Sequence, residues 1–307
     1  MYDVIVIGAG PAGLAAGLYA SRAKLKTLII EKGLEGGQIV NTMDVENYPG
    51  ALEGETGMEL AMRMAKQTKD FGAEFAMDEI VEAHLEGQEK VLVGKSNTYK
   101  AKTVIIATGA SPRKMDVPGE ETFASRGVSY CATCDAAFYQ DADVFVVGGG
   151  DAAVEEAMFI TRFARKVTVI HRRDALRAAK SIQEKAFAND KIEFLWDTVV
   201  KEVRGDKFAE ELVVENVKTH EETVLSSGTE LKNIGIFAFI GYTPHAEIFA
   251  EEVKTEGGYI LTDETMATNV PGVFAAGDIR VKGHRQVVTA VSDGAIAAMN
   301  AERYLEG

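Results

Sequence analysis

The sequence of 307 residues predicts an α/β protein with two Rossmann-like dinucleotide-binding domains, the second inserted into the first. The main observation is a repeat. Residues 4–31 (VIVIGAGPAGLAAGLYASRAKLKTLIIE) align without a gap with residues 144–171 (VFVVGGGDAAVEEAMFITRFARKVTVIH). The second observation concerns the C-terminal part, which has one good strand (PGVFAAGD) and is too short to fold alone. We therefore expect it to complete the domain that the first repeat begins.

Each repeated segment is interpreted as a βαβ unit. It opens with a β-branched run that ends in glycine, as a buried parallel strand does, and continues into a helix and a second apolar strand. The turns read Gly8-x-Gly10-x-x-Gly13 and Gly148-x-Gly150-x-x-Ala153. Small residues let the backbone approach a pyrophosphate at the helix N-terminus, where N–H groups and the helix dipole favour an anion. Two such turns predict two nucleotide sites; the alternative is tight packing without a ligand.

The residues that end the second strands distinguish the two ligands. In the first unit, Glu31 stands eighteen positions past the last small residue of the turn, where an acid accepts hydrogen bonds from the ribose hydroxyls. The equivalent position of the second unit is His171, followed by the basic residues Arg172, Arg173 and Arg177. Planar guanidinium groups suit a ribose 2′-phosphate. The first unit is therefore predicted to bind an unphosphorylated adenosine and the second NADP(H), the alternative being a solvated helix start.

The remaining elements follow from local patterns. A helix is predicted near Met58–Phe71, strand-like segments around Ala73–Val81 and Lys90–Val93, and a buried strand over Val104–Ala110. Later strands are predicted in IEFLW, ELVVENV, IGIFAFIG and PGVFAAGD, and a last helix near Val287–Leu305.

Proline and glycine signals set the predicted domain boundaries. Pro112 and Pro118 mark one break, and the turn that ends at Pro244 marks another. The first domain is placed at residues 1–113 and 244–307, and the inserted domain at residues 114–243.

Composition narrows the class of protein. It is that of an ordinary soluble protein, 46% apolar and 26% charged. The formal net charge of −14 argues against a nucleic-acid binder, which needs a basic face. The start MYDVIVIGAG lacks a basic n-region, and no run approaches about 18 apolar residues, the length of a membrane span. A cytoplasmic protein is expected.

Both cysteines lie in CATCD, where Cys131 and Cys134 precede Asp135. Two cysteines at this spacing can supply half of the ligands of a metal site, form a structural disulfide, or act as a redox-active pair. In a reducing compartment a CxxC is more often catalytic or metal-binding than structural. The five histidines show no zinc-ligand spacing relative to the cysteines, so no metal is predicted.

Taken in order, GAGPAG, VENYPG, ATGA, CATCD, GGGDAAVEEA, HRRDALRA, PGVFAAGD and the following RQ resemble the low-molecular-weight bacterial thioredoxin reductases over essentially the whole chain. The resemblance implies FAD in the discontinuous domain, NADPH in the inserted domain, a CxxC that reduces the disulfide of thioredoxin, and a homodimer. It also implies that Cys134 faces the flavin, that Cys131 attacks the partner, and that Asp135 is the acid–base residue.

The cofactor contacts implied by the resemblance are numerous. Those to FAD are Gly8, Gly10, Pro11, Ala12, Gly13, Glu31, Lys32, Gly36, Gly37, Gln38, Asn47, Thr108, Gly109, Gly277, Asp278, Arg285 and Gln286. Those to NADPH are Gly148, Gly150, Asp151, Ala152, Ala153, Glu156, His171, Arg172, Arg173 and Arg177. The chain departs from its relatives at Ala152, commonly Ser or Thr, and at Ala136, commonly Gly. Loss of a hydroxyl at position 152 softens cofactor affinity by about 1 kcal/mol.

Three alternatives stay open. A related flavoprotein could serve another disulfide partner, or take its electrons from ferredoxin, although the intact nucleotide turn and arginines favour NADPH. A non-catalytic sensor that binds FAD and signals through its dithiol is the third.

Overall fold

The computed structural model describes residues 1–42, 45, 47–230 and 232–307, so Glu46 of the VENYPG motif lies outside the described residues. The chain forms two compact units, Met1–Ser111 with Thr243–Gly307, and Pro112–Tyr242.

The elements are numbered in chain order. The strands are β1 (Tyr2–Ile7), β2 (Thr27–Glu31), β3 (Glu74–Met77), β4 (Ile80–His84), β5 (Lys90–Gly94), β6 (Thr98–Ile106), β7 (Ala110–Pro112), β8 (Val128–Ser129), β9 (Asp143–Val147), β10 (Lys166–Ile170), β11 (Ile192–Leu195), β12 (Thr198–Gly205), β13 (Ala209–Asn216), β14 (Glu222–Ser226), β15 (Gly235–Ala238), β16 (Tyr242–Pro244), β17 (Thr255–Glu256), β18 (Tyr259–Ile260) and β19 (Val273–Ala275). The α-helices are α1 (Pro11–Arg22), α2 (Gly57–Asp70), α3 (Ala132–Asp135), α4 (Asp151–Ile160), α5 (Lys180–Phe187) and α6 (Val287–Glu306). Short 3₁₀ helices span Gly37–Asn41, Ala136–Tyr139, Glu247–Phe249 and Gly277–Ile279.

The first unit is built on a sheet in the order β3-β2-β1-β6-β5-β4, with β19 pairing the C-terminal end of β6. Strand β1 lies parallel between β2 and β6. Its side chains are buried on both faces. Val4 and Val6 pack in the core that includes α1 and α6 residues, whereas Ile5 and Ile7 pack in the core that includes Phe249. Burial on both faces explains why the strand reads as one apolar run.

The structure refines two predicted strands of this unit. The segment Ala73–Val81 is not one strand, because it divides into β3 and β4 around Asp78. The Asp78 carboxylate accepts hydrogen bonds from the Asn97 N–H at 3.0 Å and the Tyr99 hydroxyl at 2.9 Å, which fixes the bend. The strand predicted over Val104–Ala110 begins earlier, at Thr98, and ends at Ile106.

The second unit has a five-stranded parallel sheet in the order β11-β10-β9-β15-β8. One face packs Val144 and Val146 with α4 residues such as Val154. The other face packs Phe145 with the antiparallel sheet β12-β13-β14 through Leu212 and other residues. The α/β class predicted from the sequence is confirmed in both units. Among the described residues, no helix has the length and apolar character needed to cross a membrane.

Candidate functional site

The first glycine turn is packed too closely against neighbouring backbone to accommodate side chains at Gly8 and Gly13. Gly8 has φ +103°, and a Cβ there would lie 2.4 Å from the Ala107 carbonyl oxygen. A Cβ on Gly13 would lie 1.8 Å from the Gly8 carbonyl oxygen. Helix α1 starts at Pro11 after Gly10, which forms no side-chain cap. The first N–H groups of α1 therefore have no side-chain cap from Gly10, and the binding of an anionic group by them stays a prediction.

Gly13→Ala is expected to destabilise the flavin-free protein by about 1–3 kcal/mol, because the added methyl overlaps a backbone oxygen that cannot move without opening the turn. Urea unfolding of the flavin-free protein measures the loss. Gly10→Ala is the matched control, since a Cβ at Gly10 meets its nearest atom at 3.8 Å. Equal stability of the two variants would contradict the steric reading of this turn.

Glu31, which ends β2, is fixed beside this turn. Its carboxylate accepts hydrogen bonds from the Ala9 N–H at 2.8 Å and from the Gly33 N–H at 3.0 Å. Each carboxylate oxygen retains a second lone pair, so both remain able to accept a ribose hydroxyl. Lys32 follows and is exposed.

The glycine-rich loop after β2 lies against the same turn. The Gly36 N–H donates to the Ala9 carbonyl at 2.7 Å, and a Cβ on Gly37 would lie 3.0 Å from the Gly10 Cα. The Gln38 side-chain amide donates to the Ala110 carbonyl. These contacts bring together segments that the sequence separates widely.

Four more predicted positions of the first unit lie at later segments. The Asn47 amide lies 3.3 Å from the Gln286 side-chain oxygen. Thr108 donates its hydroxyl to the His245 carbonyl at 2.8 Å, and Gly109 adopts φ +69°. Pairing of Asn47 with Gln286 joins the loop before α2 to the start of α6.

Asp278 is the clearest sign of a missing partner in the first unit. It follows β19, its Oδ1 is buried without a hydrogen-bond partner among the described residues, and burial raises the pKa of its carboxyl group. Buried polar atoms are normally paired, so this oxygen suits a hydroxyl donor of a ligand. Nearby in sequence, the Arg285 guanidinium lies 4.3 Å from the centre of the Tyr259 ring.

The sequence did not reveal the residues that hold the Gly277 turn. Asp293 of α6 is 6% exposed and forms ion pairs with Lys282 at 2.7 Å and Arg280 at 3.2 Å. Its carboxylate also accepts the Gly277 N–H at 3.1 Å. An aspartate in an alanine-rich helix was the available signal, but its partners lie on a different segment.

The second glycine turn is shaped by His171, the residue that follows β10. Gly148 has φ +152°, and helix α4 begins at Asp151 after Gly150. His171 is 5% exposed, and a Cβ on Gly149 would lie 2.4 Å from its ring. Burial, together with the three nearby arginines, lowers the pKa of His171, so its imidazole is neutral near pH 7. Its Nε2 has no hydrogen-bond partner among the described residues.

The arginines predicted to bind a 2′-phosphate lie on an irregular loop between β10 and α5. Arg172, Arg173 and Arg177 are all exposed. The loop backbone is tied to the glycine turn, because the Arg177 N–H donates to the Gly149 carbonyl at 2.7 Å. The Asp151 carboxylate accepts the N–H of Ala179, also at 2.7 Å. These two hydrogen bonds therefore hold the arginine loop in a fixed position beside the glycine turn.

The first turn of α4 carries the other predicted residues of this unit. Ala152 is exposed, whereas Ala153 is buried in the core. Glu156 is partly buried, and burial raises the pKa of its carboxyl group. This rise in pKa favours the protonated form of Glu156, which repels an anionic cofactor less than the carboxylate does.

Gln183 holds the arginine loop and was missed from the sequence. It is 8% exposed, and its amide donates to the carbonyl groups of Ala178 at 2.7 Å and Leu176 at 3.4 Å.

Gln183→Leu is expected to weaken NADP⁺ binding about five-fold, because losing about 1 kcal/mol of hydrogen bonding loosens the loop. Calorimetric titration measures the affinity. The exposed Gln140→Leu serves as the control, and unchanged affinity in Gln183→Leu would contradict the prediction.

The two cysteines form a disulfide, with a Cα–Cα distance of 5.3 Å. Both sulfur atoms are used in this bond, which favours a redox pair or a bridge over half a metal site. Cys131 precedes the short helix α3, and the Asp135 N–H donates to the Cys131 carbonyl at 3.2 Å. Burial raises the pKa of Asp135, and a hydrogen bond from the Ser129 hydroxyl opposes that rise.

Comparisons with known proteins agree with this geometry. Residues 2–294 match the family described as pyridine nucleotide-disulphide oxidoreductase. The chain is 56% identical over 307 residues to the thioredoxin reductase of Peptoclostridium acidaminophilum, covering 100% of this chain and 98% of the relative. It is 51% identical over 308 residues to that of Bacillus subtilis (strain 168), covering 100% and 95%. The solved thioredoxin reductase from Streptococcus pyogenes MGAS5005 is similar with a TM-score of 0.93 and 49% identity, covering 100% and 98%.

Proposed function

The chain belongs to the pyridine nucleotide-disulphide oxidoreductase family, and from that premise we propose that it reduces the disulfide of thioredoxin at the expense of NADPH. The resemblance noted in the sequence is confirmed by relatives that match the whole chain. When bound, FAD supplies the transfer of an electron pair from NADPH to a disulfide. The observation that carries the proposal is the Cys131–Cys134 disulfide, which precedes Asp135.

We assign FAD to the domain formed by residues 1–113 and 244–307. The Gly8–Gly13 turn would receive the pyrophosphate at the start of α1, and Glu31 the ribose hydroxyls. The buried, unpartnered Oδ1 of Asp278 supports this assignment, since a ligand hydroxyl would satisfy it. The remaining predicted FAD contacts, including Arg285 and Gln286, keep the roles that the resemblance implies.

We assign NADPH to the domain of residues 114–243. The Gly148–Ala153 turn would receive its pyrophosphate, and the exposed Arg172, Arg173 and Arg177 its 2′-phosphate. The tie between this turn and the arginine loop supports the assignment, since both ends of the nucleotide would meet one fixed backbone.

The cysteines and Asp135 are proposed to carry the disulfide exchange. An electron pair breaks the Cys131–Cys134 bond and leaves two thiolates, one of which takes the Asp135 proton. The remaining thiolate attacks thioredoxin to form a mixed disulfide and expels one thioredoxin thiolate. The second enzyme thiol returns its proton to Asp135, and the resulting thiolate attacks the enzyme sulfur of the mixed disulfide, which restores the enzyme disulfide and expels the second thioredoxin thiolate. The two thioredoxin thiolates take their protons from water. Asp135 therefore ends each cycle in the state in which it began.

Steady-state NADPH oxidation with purified, oxidised thioredoxin tests this proposal. Turnover is expected with NADPH and not with NADH or reduced ferredoxin run in parallel. If NADPH reduces the flavin but thioredoxin is not turned over, thioredoxin is the wrong partner, and another disulfide protein or a sensor role takes its place.

We also propose that the protein is a homodimer of the cytoplasm, the compartment in which thioredoxin keeps thiols reduced. Met58 and Met62 lie four positions apart on α2, on the same face of the helix, and are 36% and 63% exposed. Two exposed apolar side chains on one face support a contact with a second copy of the chain. Light scattering during gel filtration should give twice the chain mass of 33.1 kDa. A mass of one chain would contradict the dimer.

A further inference from the structure

Ser129 lies two positions before Cys131 and six positions before Asp135. It ends β8, and its side chain is 4% exposed. Its Oγ lies 2.6 Å from the Asp135 Oδ2, 3.1 Å from the Cys131 backbone nitrogen and 3.3 Å from the Cys131 carbonyl oxygen. One buried hydroxyl therefore contacts both the acid–base residue and the backbone of the first cysteine.

A serine hydroxyl has one proton and two lone pairs, which limits how these three contacts are made. The Cys131 N–H can only donate, so it occupies one lone pair of Oγ. When Asp135 is ionised, the Ser129 proton points to its carboxylate, because hydrogen bonds to a charged acceptor are the stronger ones. When Asp135 is protonated, its own O–H donates to the second lone pair of Oγ. The Ser129 proton then turns to the Cys131 carbonyl.

We propose that Ser129 is a positioning residue that sets the proton affinity of Asp135, its hydroxyl proton turning between the Asp135 carboxylate and the Cys131 carbonyl as Asp135 loses and gains a proton. The hydroxyl donates one hydrogen bond and accepts at least one in both states, so neither state leaves the Ser129 oxygen unpaired. The inference rests on the acid–base role of Asp135 proposed above. It adds that a change in the protonation state of Asp135 makes or breaks the hydrogen bond from the Ser129 hydroxyl to the Cys131 carbonyl.

Other titratable groups lie near α3, including Tyr130, which directly precedes Cys131 and donates its hydroxyl to Glu120 at 2.7 Å. The following 3₁₀ helix carries Tyr139, whose pKa is raised by burial and by the charge of Asp135. Helix α4 packs against α3 and carries the acidic residues Asp151, Glu155 and Glu156. Burial is the main influence on Asp135 and raises its pKa, and the Ser129 hydrogen bond lowers it. The Ser129 hydrogen bond therefore favours the ionised form of Asp135 against the effect of burial.

Removing the hydroxyl should raise the pKa of Asp135, since a hydrogen bond to the charged form favours that form. In Ser129→Ala the Asp135 titration is expected to move up by about one pH unit. The pH–rate profile for thioredoxin reduction should move in the same direction, because the carboxylate that takes back the thiol proton then appears only at higher pH.

Difference infrared spectroscopy of the oxidised, flavin-loaded protein measures this titration, with the Asp135 band identified by its loss in Asp135→Asn. Ser129→Thr keeps the hydroxyl and should restore the titration. Ser21→Ala is a matched control, because Ser21 is also 4% exposed and its Oγ has no hydrogen-bond partner among the described residues. Reduction of the flavin by NADPH verifies that each variant is folded.

The outcomes separate this inference from the proposal on which it rests. An unchanged Asp135 titration in Ser129→Ala, or a shift that Ser129→Thr does not reverse, would overturn the role of Ser129. The double variant Ser129→Ala/Asp135→Asn should have the same pH–rate profile as Asp135→Asn alone, and an additional shift would also overturn it. If Asp135→Asn leaves thioredoxin reduction unchanged, the acid–base role fails, while the infrared titration still decides whether Ser129 sets the proton affinity.

Discussion

Cys134→Ser is expected to lower the rate of thioredoxin reduction by about 10⁴-fold or more, because groups that act as a unit in catalysis lose nearly all activity when one is removed. A serine oxygen cannot form the disulfide seen between Cys131 and Cys134, so the variant cannot accept an electron pair by reduction of that bond. FAD binding and flavin reduction by NADPH should persist. The absorbance of the flavin and stopped-flow reduction by NADPH measure these two controls.

The same pair of variants assigns the two cysteines. Cys131→Ser should show an equal loss of turnover, since both thiols are needed to close the disulfide. After incubation with a single-cysteine thioredoxin variant whose remaining cysteine is activated as a mixed disulfide with a small aromatic thiol, the variant that keeps the attacking cysteine should displace that thiol and accumulate an enzyme–thioredoxin disulfide that survives on a non-reducing gel. The resemblance predicts trapping by Cys134→Ser, which retains Cys131. Trapping by Cys131→Ser would exchange the two roles, and loss of flavin from either variant would contradict the assignment of the pair to disulfide exchange.

The sequence predicted the parts of the site that depend on local backbone geometry. The Gly8 and Gly148 turns were recognisable because only glycine adopts their positive φ without strain, and because each is followed at once by a helix. Glu31 and His171 were recognisable because the spacing of a βαβ unit places the end of its second strand at the carboxyl edge of a parallel sheet; Glu31 is the last residue of β2, and His171 directly follows β10. The structure places both beside their turns.

Residues that act through distant partners were not predicted. Gln183 lies on a helix with an ordinary pattern, and its role depends on the carbonyl groups of a preceding loop. Asp293 depends on Lys282 and on the Gly277 turn, and Ser129 on a residue six positions away. A single sequence contains no signal for such pairings, because propensity and periodicity describe the chain only over a few residues.

Strand β14 was missed from the sequence for a different reason. Strand β14 (ETVLS) is mostly exposed and lacks an alternating apolar pattern. It forms because β13 offers an antiparallel partner, with Val213 opposite Val224 and Leu212 opposite Leu225. Cross-strand pairing of this kind outweighs local propensity.

Replacing Arg172 and Arg173 together by alanine is expected to lower kcat/KM for NADPH by about 100-fold and to leave kcat/KM for NADH nearly unchanged. Hydrogen bonds to a charged group contribute about 1.5–3 kcal/mol each, but both guanidinium groups are exposed, and solvent screening reduces the combined effect to about 2.7 kcal/mol. Flavin reduction measured with each nucleotide separates the two constants. The selectivity for NADPH should therefore fall by nearly the whole 100-fold.

Ionic strength provides a second test of the same pair of arginines. Salt screens exposed charges, so NADPH affinity should fall with added salt in the unmodified protein and much less in the double variant. Arg162→Ala is the matched control, because Arg162 is exposed in the same unit and its guanidinium lies over the Phe159 ring, away from the arginine loop in sequence. If Arg162→Ala lowers the NADPH preference as much as the double variant does, general positive charge rather than a 2′-phosphate site explains the preference. If the preference survives the double variant, Arg177 and His171 are the groups that remain to account for it.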